Sequence, residues 1–292
     1  MKIKVQFTDG VRKGIVGNIM SRLDNLGIMY RIFSRTKNLC SLNAKIKNDE
    51  RYGVSKKIQD GIGIRVVLYF SDDVEIAHKV ISRIFSEREK DLSIDVKNNQ
   101  TFEAVRYNIV YDIPEEMIQY ISLSGEEMHY VDSTFELQLR TVFSEGWHEV
   151  EHDLRYKSKN DWSGYDNESR KLNGVYATLE TSEWTMLQIF DELSYQHYKA
   201  KNWIPMFRQK FRIRVSDFEL NENLHLLFNE NNELVKSFFR IDRRKMLIDM
   251  ASSDYSEPLK LDNIIYFCNE KYVKNEDVRK LTPELFLDEI SS

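Results

Sequence analysis

Apolar residues fall at helical spacing from the start of the chain. After Asp9, the residues Ile15, Ile19, Leu23 and Leu26 recur every three to four positions and predict an amphipathic helix. Leu39, Leu42 and Ile46 predict a second, shorter one. The pattern then changes. Ile62 to Phe70, IGIRVVLYF, is a nearly unbroken apolar and β-branched run. Such a run reads as a strand buried on both faces, which needs helices on either side. Asp72 and Glu75 open the next segment in the manner of a capping box. Val74, Ala77, Ile81 and Ile84 behind them predict a helix packed on that strand.

Two later stretches alternate with a period of two. In Thr101 to Ile113, the residues Val105, Tyr107, Ile109, Tyr111 and Ile113 share one face, and Phe102, Ala104, Arg106 and Asn108 share the other. Pro114 ends this strand. Glu115 to Asp132 has no such pattern and is expected to be an insertion or loop. Phe135, Leu137 and Leu139 then alternate with Glu136, Gln138 and Arg140, and Phe143, Trp147, Val150 and Leu154 follow as one helical stripe. A long helix is expected through Leu172, Leu179, Leu187 and Phe190 to about Lys201, with a boundary at Trp203-Ile204-Pro205. Strands interleaved with helices predict an α/β (α+β) fold, a mixed sheet flanked by helices, over residues 1–202. Residues 203–292 read as a smaller, mostly helical region with one candidate strand, FRIRV. No internal repeat is visible.

Composition narrows the class. A chain of 292 residues accommodates a main domain and a smaller one, and 41% hydrophobic residues suffice for a sizeable core. A net charge of −5 argues against a protein that coats nucleic acid non-specifically, though it has no bearing on a local basic pocket. The two cysteines, Cys40 and Cys268, form no CxxC pair. That speaks against a disulfide framework or a cysteine zinc site and fits a reducing compartment. The N-terminal MKIKVQFTDG lacks the apolar run of a signal peptide, and no apolar stretch reaches membrane-spanning length. A soluble cytoplasmic protein with no membrane partner is expected.

Three groups of residues carry candidate chemistry. His148-Glu149-Val150-Glu151-His152 satisfies the zinc-protease pattern HExxH, but nothing downstream singles out a third ligand. In a glutamate-rich chain a chance match is the better reading, on a solvated helix with Glu151–Arg155 and Asp153–Lys157 as ordinary i,i+4 pairs. Arg35, Lys37, Ser41 and Lys45 surround the start of the second helix, where cationic and hydroxyl donors suit a triphosphate. Asp60, Gly63 and Arg65 stand at the entry to the buried strand. There a carboxylate suits a magnesium ion, a glycine admits close approach, and a guanidinium can stack on a base. Taken alone, the first of these two groups reads better as a solvated basic face, and the second reads as well as a turn aspartate and a snorkelling arginine.

Together they resemble the synthetase domain of the RelA/SpoT family, whose members transfer pyrophosphate from ATP to the ribose 3′-hydroxyl of GTP or GDP. The family's R-x-K-x3-S-x3-K run is similar to Arg35, Lys37, Ser41 and Lys45, and its D-x-x-G-x-R to Asp60, Gly63 and Arg65. Its E-[IV]-Q-[IL]-R-T strand resembles Glu136 to Thr141, and its W-x-x-[IV]-E-H helix ending in Y-K resembles Trp147, Val150, Glu151, His152, Tyr156 and Lys157. The departure lies between the second and third motifs. Where the family carries G-Y-x-S-x-H, this chain has Thr101 to Arg106, TFEAVR. Phe102 there retains a π-face for stacking on a base, and Arg106 a donor for a phosphate.

The resemblance implies a set of roles. Adenine lies between Arg35 and Arg65, and Lys37, Ser41 and Lys45 hold the phosphates. Asp60 and Glu136 hold Mg²⁺, and Glu136 also activates the acceptor hydroxyl. Phe102, Arg106, Gln138 and Arg140 bind the acceptor, while His152 and Lys157 contact phosphate or brace the strand. The implied activity is (p)ppGpp synthesis from ATP and GDP or GTP. Synthesis without degradation is expected, because the His-Asp motif of the longer family members is missing. Two other readings stay open. One is a toxin-like enzyme that pyrophosphorylates an adenine nucleotide or the 3′ end of tRNA, paired with an antitoxin-type partner. The other is a degenerate, nucleotide-sensing domain. A homo-oligomer is compatible with any of them.

Overall fold

The computed structural model describes residues 9–91, 93–94, 107–121, 127–253, 255 and 257–291. Contacts divide the chain into two compact units. The first is Met1–Ser21 with Tyr30–Thr181, and the second is Arg22–Met29 with Ser182–Ser292.

The first unit begins with helix α1 (Asp9–Asp24), whose Val11, Ile15 and Ile19 are buried. Strand β1 (Tyr30–Thr36) follows, then helix α2 (Leu39–Asn48), capped by Asn38, whose side chain accepts from the Ser41 amide at 2.8 Å. Strand β2 (Ile62–Leu68) leads to helix α3 (Asp73–Ile81). The two-residue strand β3 (Ser93–Ile94), strand β4 (Tyr107–Asp112) and short helix α4 (Glu115–Ile118) come next. Strand β5 (Thr134–Thr141) then passes directly into helix α5 (Val142–Glu151), and a π-turn (His152–Tyr156) precedes the long helix α6 (Asp166–Lys199).

The sheet order is β1-β2-β5-β4-β3, with β2 and β5 parallel and the other pairs antiparallel. The mixed sheet flanked by helices is as expected. On one face Tyr111 stacks on Phe135 with ring centroids 5.4 Å apart, and Phe85 meets Phe135 edge-on at 5.0 Å. Helix α3 packs on β5 and buries Ile76, Ala77, Val80 and Ile81. Helix α5 packs on β5 and β2. Thr141 makes its sharp start possible. The Thr141 Oγ1 accepts from the Ser144 amide at 3.1 Å, and Ser144 Oγ accepts from the Thr141 amide at 3.0 Å.

The structure departs from the sequence pattern in several places, among them α4, a helical turn inside the stretch expected to be a loop. Strand β1 was not anticipated, because none of its residues is buried. Asp72 occupies the cap position of α3 in helical backbone geometry and makes no side-chain cap. Val150 and Leu154 of the α5 stripe are exposed, while Trp147 is buried, donates to the Leu172 carbonyl at 2.9 Å and packs on Tyr176. FRIRV is not a strand, since Arg212 adopts left-handed geometry at the end of helix α7 (Trp203–Phe211) and breaks the run.

The second unit contains no strand among its described residues. Helices α8 (Glu222–Glu230), α9 (Asn232–Phe239), α10 (Arg243–Ser252), α11 (Leu261–Cys268), α12 (Glu276–Leu281) and α13 (Glu284–Ser291) follow α7. Pro205 sits in the first turn of α7, where no helical amide is needed. Trp203, Phe207, Phe211, Phe228 and Phe238 are fully buried and form its aromatic core. Gly27 has φ +64°, and its carbonyl accepts from the Arg214 amide at 2.7 Å; a side chain there would meet the Arg214 backbone. The basic run Arg240 to Lys245 is not one continuous charged face. Arg243 is buried and donates to the last carbonyl of α7, Phe211. Among the described residues, no helix is long and apolar enough to cross a membrane.

Candidate active site

The register of the three neighbouring strands β1, β2 and β5 determines which side chains meet. Arg35 pairs with Gly63, and Gly63 with Glu136; Phe33 pairs with Arg65, and Arg65 with Gln138. Register partners project to the same side of a sheet. Phe33, Arg35, Arg65, Glu136 and Gln138 therefore share the face opposite the aromatic core. Strand β2 is buried on both sides only at Val66, Val67 and Leu68. Gly63 and Arg65 at its entry are partly open, and this is where the sheet carries a pocket of about 360 Å³. Asp60, Arg35, Arg65, Glu136 and Gln138 all line it, with Phe33 and Glu149. Gly63 lies beneath Arg35, and a methyl group there would touch only Arg35, its Cγ at 3.8 Å and its Nε at 3.9 Å.

Asp60 is the electrostatic centre of one wall. Lys45 Nζ donates to both of its oxygens at 3.0 Å, and Lys37 Nζ also donates to it. Burial alone would push the Asp60 carboxyl up; Lys37 and Lys45 outweigh it and hold the group below its ordinary value. Burial likewise pulls Lys37 down by more than Asp60 restores, whereas for Lys45 the attraction of Asp60 wins over burial and raises it. The lysines of the first motif thus attach to the aspartate of the second.

Along β5 a chain of hydrogen bonds runs from carboxylate to carboxylate. Gln138 Nε2 donates to Glu136 Oε1 at 2.6 Å, and Gln138 Oε1 accepts from Arg65 Nε at 3.0 Å. Arg65 Nη1 donates in turn to Glu145 at 2.7 Å and to Glu149, both on α5. Arg140 lies deeper, 3.6 Å from Glu145, and its guanidinium is pulled down by burial and by the neighbouring Arg65. His148 is driven to about 3 by burial and by the charges of Arg140 and Arg65.

The other site candidates lie elsewhere. Arg140, Ser41, His152 and Lys157 do not line the pocket. His152 is exposed, bonds to Asp153 at 2.9 Å and stacks on Tyr156, and Lys157 is exposed and paired with Asp153 at 2.7 Å. Phe102 and Arg106 fall outside the described residues. Among the described residues, no group of three or more His, Cys, Asp or Glu is placed to hold a metal, the HExxH pair included. Cys40 is exposed and Cys268 buried, and they do not pair.

Three residues at the site were not assigned to it from the sequence, Glu149 among them, which stood out only as part of the HExxH pattern. Phe33 stands two positions before Arg35 on an unanticipated edge strand. Glu145 and Glu149 reach Arg65 from 80 and 84 positions along the chain. Phe33 has a sequence signal in hindsight, an aromatic in step with Arg35; the glutamates have none beyond their spacing on one helix face.

Comparison with solved structures aligns the chain with the small alarmone synthetase 2 of Bacillus subtilis at 19% identity and a TM-score of 0.47, covering 62% of this chain and 95% of that one. Small alarmone synthetase 1 of the same organism aligns at 19% identity and a TM-score of 0.44, covering 62% and 92%. A GTP pyrophosphokinase family protein from Streptococcus pneumoniae aligns at 19% and 0.44, covering 63% and 88%. No curated protein matches. Residues 34–161, which span β1 to the turn after α5, match the family model described as the region found in RelA / SpoT proteins. Over that stretch, less than half of its length, the chain is similar to the RelA/SpoT proteins.

Proposed function

We propose that this protein is an ATP-dependent pyrophosphokinase that moves the β,γ-pyrophosphate of ATP to the ribose 3′-hydroxyl of a guanine nucleotide, GDP or GTP. One observation carries the reading. Asp60 and Glu136, 76 positions apart in sequence, open onto the same pocket as Arg35 and Arg65, with Lys37 and Lys45 gathered on Asp60. Two carboxylates, two guanidinium groups and two ammonium groups are what a magnesium-bound nucleoside triphosphate requires.

The donor set fits magnesium. That ion commonly takes one or two carboxylates and completes its shell with phosphate oxygens and water, so Asp60 and Glu136 suffice. When bound, it supplies charge neutralisation at the transferring phosphates. The protein's own groups do the rest. Lys37 and Lys45 are point charges on flexible stems and can turn from Asp60 to the triphosphate, which frees the aspartate. Arg35 and Arg65 present planar groups to the base. Glu136 accepts the proton of the acceptor hydroxyl, and Gln138 holds one of its two oxygens at 2.6 Å. The acceptor oxygen bonds to the β-phosphorus, the bridge between the α- and β-phosphates breaks, and AMP leaves. Positioning and electrostatic stabilisation carry the rate.

The acceptor is assigned on the family resemblance, and a direct screen tests it. The protein is incubated with γ-labelled ATP and magnesium and, separately, GDP, GTP, ADP, AMP and tRNA. Label on GDP or GTP is expected. Label on an adenine nucleotide or tRNA would replace the acceptor and keep the chemistry, and label on none would refute the enzyme.

A further inference from the structure

Of the HEVEH stretch, only Glu149 lines the pocket, and it has no role in the scheme above. Glu149 is 55% exposed, lines the pocket and carries a negative charge into it, and unlike Asp60 and Glu136 it has no magnesium to hold in that scheme. A carboxylate beside a triphosphate repels it. Among the described residues, Glu149 has no pairing within its own helix; its partner is Arg65, on the interior strand β2.

Arg65 explains the arrangement. A guanidinium donates in its plane and stacks through its faces. Here Nη1 is bonded to Glu145 and Glu149, and Nε to Gln138. Acceptors on both sides of the fork fix the plane and occupy edge donors that would otherwise grip a phosphate bidentately.

We propose that Glu149 is a positioning residue for the base of a bound purine nucleoside triphosphate, holding Arg65 so that it offers its face to the base rather than its edge to the phosphates. The inference rests on the reading that this pocket takes ATP. It assigns Glu149 the task of sorting two cation types: ammonium groups for the phosphates, a restrained guanidinium for the base.

The sign of its effect separates this role from simple charge. Removing an acid near an anion site should tighten every anionic ligand. Removing a base-positioning acid should weaken ligands that have a base and spare those that have none. Calorimetric titration of wild type, Glu149→Gln and Glu149→Ala with α,β-methylene-ATP and with inorganic tripolyphosphate, both with magnesium, distinguishes the two. For Glu149→Ala, the Kd for the ATP analogue is expected to rise about tenfold, the equivalent of one charge-assisted hydrogen bond. Glu149→Gln keeps an acceptor oxygen and should fall between. Tripolyphosphate should bind as well as before or more tightly. Glu151→Gln removes an equal charge two positions on, on the other side of the helix, where Glu151 pairs with Arg155 at 3.3 Å, and should change neither ligand.

Analogue binding that is unchanged or tighter in the Glu149 variants overturns the inference, as does an equal loss of both ligands. So does a Glu149 variant that fails to fold, since the residue would then be structural. Wild-type protein that binds no analogue overturns the ATP reading itself, a result in which the variants play no part.

Discussion

Lys45 Nζ stands 3.0 Å from both carboxylate oxygens of Asp60, and Lys37 Nζ shares the same group. Two cations on one acid keep the acid ionised and the cations in place before a nucleotide arrives. Lys45→Ala removes one of them and with it part of the charge proposed to hold the triphosphate. The expected result is a KM for ATP higher by about tenfold, roughly one charged contact, with a smaller change in kcat. Steady-state kinetics at saturating acceptor reads both, and an unchanged KM would take Lys45 out of the phosphate site.

Gly63→Ala separates room for the fold from room for the ligand. The added methyl meets only Arg35, its Cγ at 3.8 Å and its Nε at 3.9 Å, which is ordinary contact. Stability should therefore stay within about 0.5 kcal/mol of wild type, as for a change that strains nothing. The same methyl stands on the floor between Arg35 and Glu136, so affinity for α,β-methylene-ATP is expected to fall. Melting curves and calorimetry on one preparation check the pair of outcomes.

Thr141 joins strand β5 to the helix that carries Glu145 and Glu149. Thr141→Ala removes a helix cap and should cost about 1 kcal/mol in denaturant unfolding. A loss much below that would mean the capping box does not secure the start of α5.

His148 gives the protein a defined acid sensitivity. Burial, with Arg140 and Arg65 close by, lowers it from 6.5 to about 3. The unfolded chain thus binds a proton that the folded chain refuses between those values, so stability is present above pH 6.5 and declines as pH falls towards 3. His148→Gln removes that contribution. Its unfolding free energy should fall less than that of wild type between pH 6.5 and 4, measured by urea titration at each pH. Parallel profiles would show that His148 does not titrate this way.

Much of the fold was readable because burial is written in period. Phe135, Leu137 and Leu139 alternate with Glu136, Gln138 and Arg140 just as they do in β5, and the long run at Ile62 marks the interior strand β2. Strand β1 escaped because an edge strand with no buried residue leaves no apolar stripe, and Phe33 went unread with it. FRIRV failed as a strand because a left-handed backbone at Arg212 closes α7, a conformation that side-chain alternation does not encode. At the site, motif spacing brought Asp60, Glu136, Arg35 and Arg65 into view. The clamp on Arg65 did not emerge, because its acids come from a helix 80 and more positions away and look like solvated surface in sequence.

The central claim is that Glu136, beside Asp60 in one pocket, performs the transfer. Glu136→Gln keeps the size of the side chain and its bond to Gln138 while removing the base. Transfer of label from γ-labelled ATP should drop by at least about 10²-fold, with binding of α,β-methylene-ATP retained and the melting temperature unchanged. Full transfer by a purified, folded Glu136→Gln protein would contradict the account.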